Sequence, residues 1–490
     1  MKKLTLLLCF VSFLTKAQNI TVASGKSFTI EKTGAVTMSG NFSNAGTFTL
    51  NSDSNEFSSI IIGGSVSGNI SYNRYVNSVG TNEWDLIGAP VSGQSINSFV
   101  TANTSTLATN GATKAIGYYN NTDNTWTNYT TSTIVGAGNF PLGKGFQMAT
   151  IANGTGILSF TGAPTATNQT WTIIDNDAAN SGAGTRWNLV ANPFPSYIYG
   201  NANADSSHNF LTVNSDKLND SYEAIYGYDA DGSGYTVYNN TSAALRLAPG
   251  QAFMVASDNA ENDTISFTTA MRTTTGGDDL IVGRDPIDSF ELVLKLYEGD
   301  SEIDHTKFYF GDGLSLNLDP GYDAGHFNQG ASLMSRLVDE DEGVGLVINA
   351  MGLESVNDVV APLELNIEAG NNFRISIGTF NIDTAINVYL EDNVQETMTL
   401  LNDQDFELTA ENELSGVGRF FIHLTETVLS IDDKIETNYL NVFKADVNNF
   451  ITVEGLANQS NGTKLRLYTI LGKEVIFTTL NNTNNKQTIS

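Results

Sequence analysis

The stretch DADGSGY, which begins at Asp229, has the residue types and spacing of a calcium-binding loop. Asp229, Asp231 and Ser233 stand at alternate positions, and Gly234 follows where such a loop turns sharply. Hard oxygen ligands at this spacing can wrap a calcium ion, although Asn240 replaces the bidentate glutamate that normally closes the loop. A glycine-rich turn between two strands would explain the same residues without a metal. The sequence therefore favours a glycine-rich hairpin turn and no cofactor, and it leaves Asp229, Asp231 and Ser233 as a weak calcium candidate.

Other residues that could carry catalysis are scattered along the chain. The sequence contains no nucleophile elbow, no zinc-protease helix motif and no phosphate-binding loop. Its four histidines stand apart, and His423 alternates with apolar residues as a residue on the polar face of a strand would. The 53 acidic residues could include a glycosidase pair, but abundance alone does not identify one. We therefore predict no catalytic residues and a protein that is not an enzyme.

The elements that must position any site are predicted to be almost entirely β-strands. Short segments alternate apolar and polar residues, as at 289–297 and 373–377, and clusters of glycine, asparagine and aspartate separate them. This two-residue period predicts half-buried strands, and no long stretch follows the 3.6-residue period of an amphipathic helix. The predicted fold class is all-β, with tandem β-sandwich modules, a short-strand solenoid-like region before them and a partial β-sandwich after them.

Residues 1–17 have the pattern of a secretory signal peptide. Two lysines precede an apolar run, and the small residue Ala17 stands before Gln18, where we expect cleavage. The run is shorter than the ~20 residues needed to span a bilayer, and no later segment reaches that length, so no membrane span is predicted. Cys9, the only cysteine, would leave with this segment, which excludes disulfides and thiol chemistry from the mature chain.

Residues 18–78 contain very short strand-like segments separated by glycines. Ile20 with Val22 and Phe28 with Ile30 are two of the apolar pairs that mark them. Short strands at regular spacing are typical of a small β-solenoid, and a strip of an ordinary sandwich is the alternative.

A duplicated module follows this region. The motif WDLIGAP, which begins at Trp84, returns as WNLVANP, which begins at Trp187. AIGYY, GKGFQM and SFT return in the same order as AIYGY, GQAFMV and SFT. Each copy has the size of one sandwich module, so we predict a shared topology at 79–165 and 170–275. The apolar setting of both tryptophans favours core packing over a carbohydrate-stacking platform.

Charge narrows the choice of partners. The chain has 24 Lys and Arg against 53 Asp and Glu, a net charge of −29. Such a chain repels phosphate backbones and anionic lipids, so nucleic acid and membrane surfaces are poor candidates for partners. Aromatic residues make up 10% of the chain and the charges are interspersed, so we predict a folded rather than a disordered protein. A further β-sandwich domain is predicted at 278–427, and a last segment at 431–490.

The segment LRLYTILGKEV, at 465–475, resembles the signature hairpin of the type A-like C-terminal sorting domain of proteins exported by the type IX secretion system. The matching residues are Leu467, Tyr468, Ile470, Gly472, Lys473 and Val475. The region 279–424 also resembles the β-sandwich that precedes this domain in large exported surface proteins. The resemblance implies that the type IX machinery is a partner and that the protein is secreted or displayed on the outer surface of a Gram-negative bacterium.

The resemblance also suggests an incomplete sorting domain, because the family continues with a further strand and a basic tail that this sequence lacks. We therefore expect a truncated domain at 431–490. Together these features predict a non-enzymatic, adhesin-like protein that binds a glycan or protein ligand. The alternative is a secreted polysaccharide-acting hydrolase or its carbohydrate-binding accessory.

Overall fold

The fold of the chain is all-β, as predicted. The computed structural model describes residues 19–79, 84–177, 184–229, 234–258, 262–277, 279, 290–327, 330–382, 385–426, 440–444, 451–458, 462–468 and 474–489. Strands dominate these residues, and their two α-helices are short. Short 3₁₀ turns lie at Ile134–Gly136, Ser215–Lys217, Asp220–Tyr222, Thr269–Met271, Leu353–Asn357 and Leu456–Asn458. The chain divides into two compact units, Met1–Asn219 with Glu223–Asp285, and Asp220–Tyr222 with Pro286–Ser490.

The first unit begins with a three-faced β-solenoid. Its strands are β1 Ile20–Val22, β2 Ser27–Ile30, β3 Ala35–Met38, β4 Phe42–Asn44, β5 Thr47–Asn51, β6 Ser59–Ile62, β7 Val66–Ser67 and β8 Ile70–Tyr75. Each strand from β1 to β5 pairs in parallel with the strand three places further along the chain. Phe42 and Phe48, from two faces, meet edge to face at 5.1 Å in the interior. Parallel pairing of successive coils defines a solenoid, so the solenoid prediction is confirmed.

The last solenoid strand also opens the first repeat. The elements that follow are β9 Asp85–Ile87, β10 Val91–Ser92, α1 Ile96–Ala102, β11 Thr109–Asn110, β12 Thr113–Asn120, β13 Thr125–Thr130, β14 Phe146–Met148 and β15 Ile157–Pro164. Strand β8 pairs in parallel with β5 on one side and antiparallel with β15 on the other. The solenoid and the first repeat therefore share one sheet and one hydrophobic core. By strand pairing, the first repeat includes β8, which the predicted boundary at residue 78 places in the N-terminal region.

The second repeat has the same topology. Its elements are β16 Gln169–Ile173, β17 Trp187–Ala191, β18 Tyr197–Tyr199, α2 Phe210–Asn214, β19 Ile225–Asp229, β20 Gly234–Tyr238, β21 Arg246–Leu247, β22 Ala252–Ala256, β23 Asp263–Phe267 and β24 Arg272–Thr273. The order β17-β22-β19-β20 repeats β9-β14-β12-β13, and the outer pair β16–β23 repeats β8–β15. The register also agrees, because Ile87 faces Phe146 as Val190 faces Phe253. The predicted common topology is confirmed.

A buried asparagine makes the same contacts in both repeats. The Asn103 side chain donates to the Ser159 carbonyl at 3.1 Å and accepts from the Ser159 N–H at 2.8 Å. Asn214 makes the same two hydrogen bonds with Ser266, at 3.1 and 2.7 Å. A buried backbone N–H and C=O need such partners, and the two amides supply them. Each asparagine therefore ties the end of its helix to the outer strand pair of its repeat.

The second unit contains one large, nearly closed sheet. Its strands are β25 Phe290–Glu298, β26 Ser301–Gly311, β27 Ala324–Gly325, β28 Ser332–Ser335, β29 Leu346–Gly352, β30 Asp358–Asn366, β31 Asn372–Asn381, β32 Asn387–Asp392, β33 Thr397–Leu400, β34 Phe406–Thr409 and β35 Phe420–Thr425. Pairing is antiparallel except between β26 and β29 in the described part of this sheet. In β25, Leu292, Leu294 and Leu296 are buried as their alternation predicts.

A smaller group of strands follows in the same unit. They are β36 Asn441–Lys444, β37 Ile451–Glu454, β38 Thr463–Tyr468, β39 Glu474–Leu480 and β40 Lys486–Ile489. The order β36-β37-β40 makes one sheet, and β38 with β39 makes a hairpin. Val453, Leu456 and Leu480 form a small apolar core among them. In the described part of the whole chain, no helix combines the length and the apolar character needed to cross a membrane.

Candidate functional site

The two repeats contact each other within the first unit, where a backbone hydrogen bond from each repeat reaches the other; we call this contact the crossing of the repeats. The Gly88 N–H donates to the Gly250 carbonyl at 2.7 Å, and the Ala191 N–H donates to the Gly143 carbonyl at 2.9 Å. Gly88 and Ala191 hold the same place in the repeated motifs, as do Gly143 and Gly250. A Cβ added at Gly88 would overlap the Ala191 Cβ, so the crossing requires a residue without a side chain here. This arrangement creates two equivalent junctions between the repeats.

Each junction combines one outer-strand residue with one residue of the other repeat. Arg74 in β8 and Trp171 in β16 occupy the same register position, because the repeated SFT motif aligns their partner strands β15 and β23. Lys144 and Gln251 occupy the same position in GKGFQM and GQAFMV. We call the surroundings of Arg74 and 249–251 the first junction. The surroundings of Trp171 and Lys144 are the second junction.

The cation of the first junction is neutralised inside the protein. Arg74 is fully buried, and its guanidinium donates to the Pro249 carbonyl at 3.0 Å and the Tyr75 carbonyl at 2.8 Å. A third bond, to the Asp279 carboxylate, measures 2.7 Å. The guanidinium also lies 4.0 Å from the centre of the Phe57 ring. A buried arginine with these partners has its charge satisfied inside the protein and does not present it to a ligand.

A second carboxyl group belongs to the first junction. Asp85 accepts hydrogen bonds from the backbone and side-chain nitrogens of Asn77, at 2.7 and 2.8 Å. Burial, reinforced by the Asp279 carboxylate, raises the pKa of Asp85 to about 7, although Arg74 opposes the shift. The second repeat has the neutral Asn188 at this position, which accepts the equivalent backbone hydrogen bond at 3.1 Å. The second junction therefore lacks the ionisable carboxyl group that Asp85 supplies to the first.

The second junction holds a cation that has no anion beside it among the described residues. The Lys144 Nζ lies 4.9 Å from the ring centre of Tyr118, 5.6 Å from that of Phe146 and 5.9 Å from that of Trp171. Burial lowers the pKa of Lys144. Among the residues that the structure describes, Nζ has no carboxylate at ion-pair distance and no hydrogen-bond acceptor. Lys144, Tyr118 and Trp171 are all half-buried, so the group borders solvent.

The Lys144 ammonium group at the second junction can bind a hydrogen-bond acceptor from outside the protein. An ammonium group held among aromatic rings is stabilised by their faces, but it keeps its N–H donors for an acceptor from outside. A carboxylate would form a charge-assisted hydrogen bond with it. Sequence reasoning missed Lys144 and Trp171. The exchange of Lys144 for Gln251 was visible in the repeated motif, but the approach of Trp171 depends on how the repeats cross.

The predicted calcium loop lies between β19 and β20 in the sequence. Asp229 ends β19 and pairs with Gly234 of β20, and Tyr228 faces Tyr235. The two strands therefore pair antiparallel, as the hairpin prediction requires. Asp231 and Ser233 lie outside the described residues, so calcium binding stays a prediction.

The predicted sorting signature spans the C-terminal hairpin. Leu467 and Tyr468 lie in β38, where they pair with Ile476 and Glu474, and Val475 lies in β39. Outside the described residues lie Ile470, Gly472 and Lys473 of the signature, and Ala17 and Gln18 of the predicted signal cleavage site. Their predicted roles stay predictions.

Two expectations about individual side chains need correction. His423 is buried, with 7% exposure, and its Nε2 lies 2.8 Å from a Glu391 carboxylate oxygen. The two-residue alternation predicted a polar face, but every residue of β35 is buried because both of its faces are covered. Trp84 and Trp187 are only half-buried, and the Trp187 ring lies 4.7 Å from that of Tyr226. Their predicted core position is therefore only partly correct.

These features define an all-β protein in which a solenoid continues into two crossed sandwich repeats. The chain belongs to the family described as Domain of unknown function (DUF8693), whose model matches residues 10–423. No curated protein matches the chain, and no solved structure matches it. The family match includes the described solenoid and both repeats, and it ends before the segment 431–490.

Proposed function

We propose that the chain is an exported, adhesin-like binding protein without catalytic activity, and that the second junction contacts its ligand. The observation that carries this proposal is the Lys144 ammonium group. It borders solvent among three aromatic rings, whereas the equivalent junction neutralises its cation with Asp279. A charged group kept without an internal partner costs stability, so such an arrangement favours a role outside folding.

Delivery by the type IX secretion system is the second part of the proposal. It is supported by the signature residues at 467–475 and by the signal-peptide pattern at 1–17. The antiparallel hairpin of β38 and β39 is compatible with the hairpin of the sorting domain that this segment resembles. The family match ends at residue 423, ahead of this segment, as expected for a delivery module separate from the binding modules.

The hydrolase alternative finds less support. A histidine–aspartate pair does exist in the second unit, where His326 Nε2 lies 2.8 Å from the Asp304 carboxylate. However, the two side chains are only 4% and 5% exposed, and the same carboxylate oxygen accepts the Leu333 N–H. A buried pair with these bonds is the arrangement expected of a structural contact.

Export is tested in a bacterium with a working type IX system. We expect the full chain to reach the medium or the outer surface, and a chain without residues 431–490 to stay in the periplasm. The full chain in a strain without the machinery is the matched control. Surface delivery of the shortened chain would contradict the delivery proposal. Turnover of a polysaccharide that one carboxylate substitution abolishes would contradict the binding proposal.

A further inference from the structure

We infer that the second junction binds a saccharide carrying a carboxylate, with the carboxylate on Lys144 Nζ and a sugar face against the aromatic rings. The ligand class is an oligosaccharide in which a uronic acid is linked to neutral sugars. This inference rests on the proposed binding function and names the ligand class of that site.

The two junctions differ in whether a carboxylate of the protein lies beside the cation. Both have an equivalent backbone hydrogen bond, from Gly88 in one and from Ala191 in the other, so this contact does not dictate which side chains neutralise a charge. The first junction places Asp279 at 2.7 Å from Arg74 and has Asp85 nearby. The second has the neutral Asn188 instead of Asp85, and Lys144 finds no carboxylate among the described residues. In our inference the anion that pairs with Lys144 comes from a ligand.

The aromatic rings carry the second step. Tyr118 and Trp171 are half-buried beside the ammonium group, and Tyr129 lies 5.6 Å from Tyr118, ring centre to ring centre. Aromatic side chains gain most from flat apolar partners, and one face of a pyranose ring offers such a surface. A uronate therefore matches both parts of the junction, since it joins an apolar ring face to a carboxylate.

The net charge of the chain limits how acidic the ligand can be. At −29 the chain repels polyanions, whereas a single carboxylate in contact with Lys144 is attracted at short range. Repulsion from distant charges is screened beyond about 8 Å at physiological ionic strength. An isolated uronate between neutral sugars is therefore favoured over a polyuronate or a nucleic acid.

The test is a calorimetric titration of the purified full chain with a disaccharide of glucuronic acid and a neutral hexose. The matched probe is its methyl ester, which keeps the ring and removes the charge. We expect the acid to bind about tenfold or more tightly than the ester, because a charge-assisted hydrogen bond is lost. Lys144→Gln introduces the residue found at the equivalent position, Gln251. This variant should bind the acid more weakly by about the same factor, and its affinity for the ester should be unchanged. Lys114→Gln is the control and should bind as the unsubstituted chain does.

Four outcomes would overturn the inference. The first three are equal affinity for the acid and its ester, unchanged acid binding by Lys144→Gln, and tighter binding of a peptide carboxylate than of the uronate. The acid–ester comparison needs no variant, so it decides the matter even where Lys144→Gln fails to fold. Binding of neutral glycans alone would preserve the proposed binding function and refute the uronate. A failure of export would leave the titration unaffected.

Discussion

Asp85→Asn should remove a pH-dependent loss of stability from the first unit. The second repeat suggests this substitution, because Asn188 occupies the equivalent position and its amide donates to the Ile174 carbonyl at 2.9 Å. The Arg74–Asp279 contact would remain in the variant, so the guanidinium would not lose its counterion. The substitution thus replaces an ionisable carboxyl group with a neutral amide, the group that the second repeat already has at the equivalent position.

The size of the effect follows from the pKa of Asp85, which burial raises from 3.8 to about 7. Between about pH 4 and 7 the native carboxyl keeps a proton that the unfolded chain has released, so the free energy of unfolding falls as the pH rises. A shift of about 3 units corresponds to about 4 kcal/mol. Partial exposure of the residue screens the charge, so we expect about 2–4 kcal/mol. Below pH 4 both states are protonated, and this contribution to stability is fully present.

Urea denaturation followed by tryptophan fluorescence measures this effect at pH 4.5, 6 and 8. The four tryptophans, Trp84, Trp126, Trp171 and Trp187, all lie in the first unit, so their signal follows its unfolding. The stability difference between Asp85→Asn and the unsubstituted chain should grow in favour of the variant as the pH rises. Asp323→Asn is the control, because burial raises the pKa of Asp323 to about 7 in the second unit. A difference for Asp85→Asn that stays constant with pH would refute the reasoning.

Three further predictions concern packing, hydrogen bonding and metal binding. Gly88→Ala should lower the free energy of unfolding by about 1–3 kcal/mol, because its methyl group overlaps Ala191, and adding Ala191→Gly should restore part of the loss in a double-mutant cycle. Equal losses in the single and double variants would count against the overlap. Asn103→Ala should lower the free energy of unfolding by about 2–3 kcal/mol in urea denaturation, because it removes the side chain that bonds the backbone N–H and carbonyl of β15. A loss under about 0.5 kcal/mol would show that water replaces the amide. If the chain binds calcium at Asp229 and Asp231, the binding is weak: Tm is then higher in calcium than in EDTA, and Asp229→Ala with Asp231→Ala abolishes the difference. An identical Tm in both solutions would remove the site.

The strands and the duplication could be predicted because both depend on local patterns. Alternation identified β25, with Leu292 buried, and four repeated motifs predicted the shared topology of the repeats. The double role of β8 could not be predicted, because a strand carries no local mark of having a parallel neighbour on one side and an antiparallel one on the other. For the same reason the first repeat begins earlier along the chain than the repeated motifs indicate.

Side chains at the junctions were less predictable because their burial depends on a second layer. Arg74 alternates with Ile70 and Tyr72 on the inward face of β8, where a single strand gives no reason to expect a charged residue. The calcium pattern illustrates the opposite case. Asp229 has the local signature of a ligand, but a hairpin turn accounts for the same residues.

Duplication separates the two roles that this fold assigns to its junctions. Because the crossing contacts of Gly88 and Ala191 are equivalent, differences between the junctions must reside in the side chains placed around them. The first junction encloses Arg74 with its carboxylate, so this charge is satisfied inside the protein. The second exposes part of Lys144 beside aromatic rings, and this arrangement serves binding in our proposal. Substitution of Asp85 should therefore change unfolding without changing uronate affinity, whereas Lys144→Gln should change affinity and leave the pH dependence of unfolding that Asp85 causes.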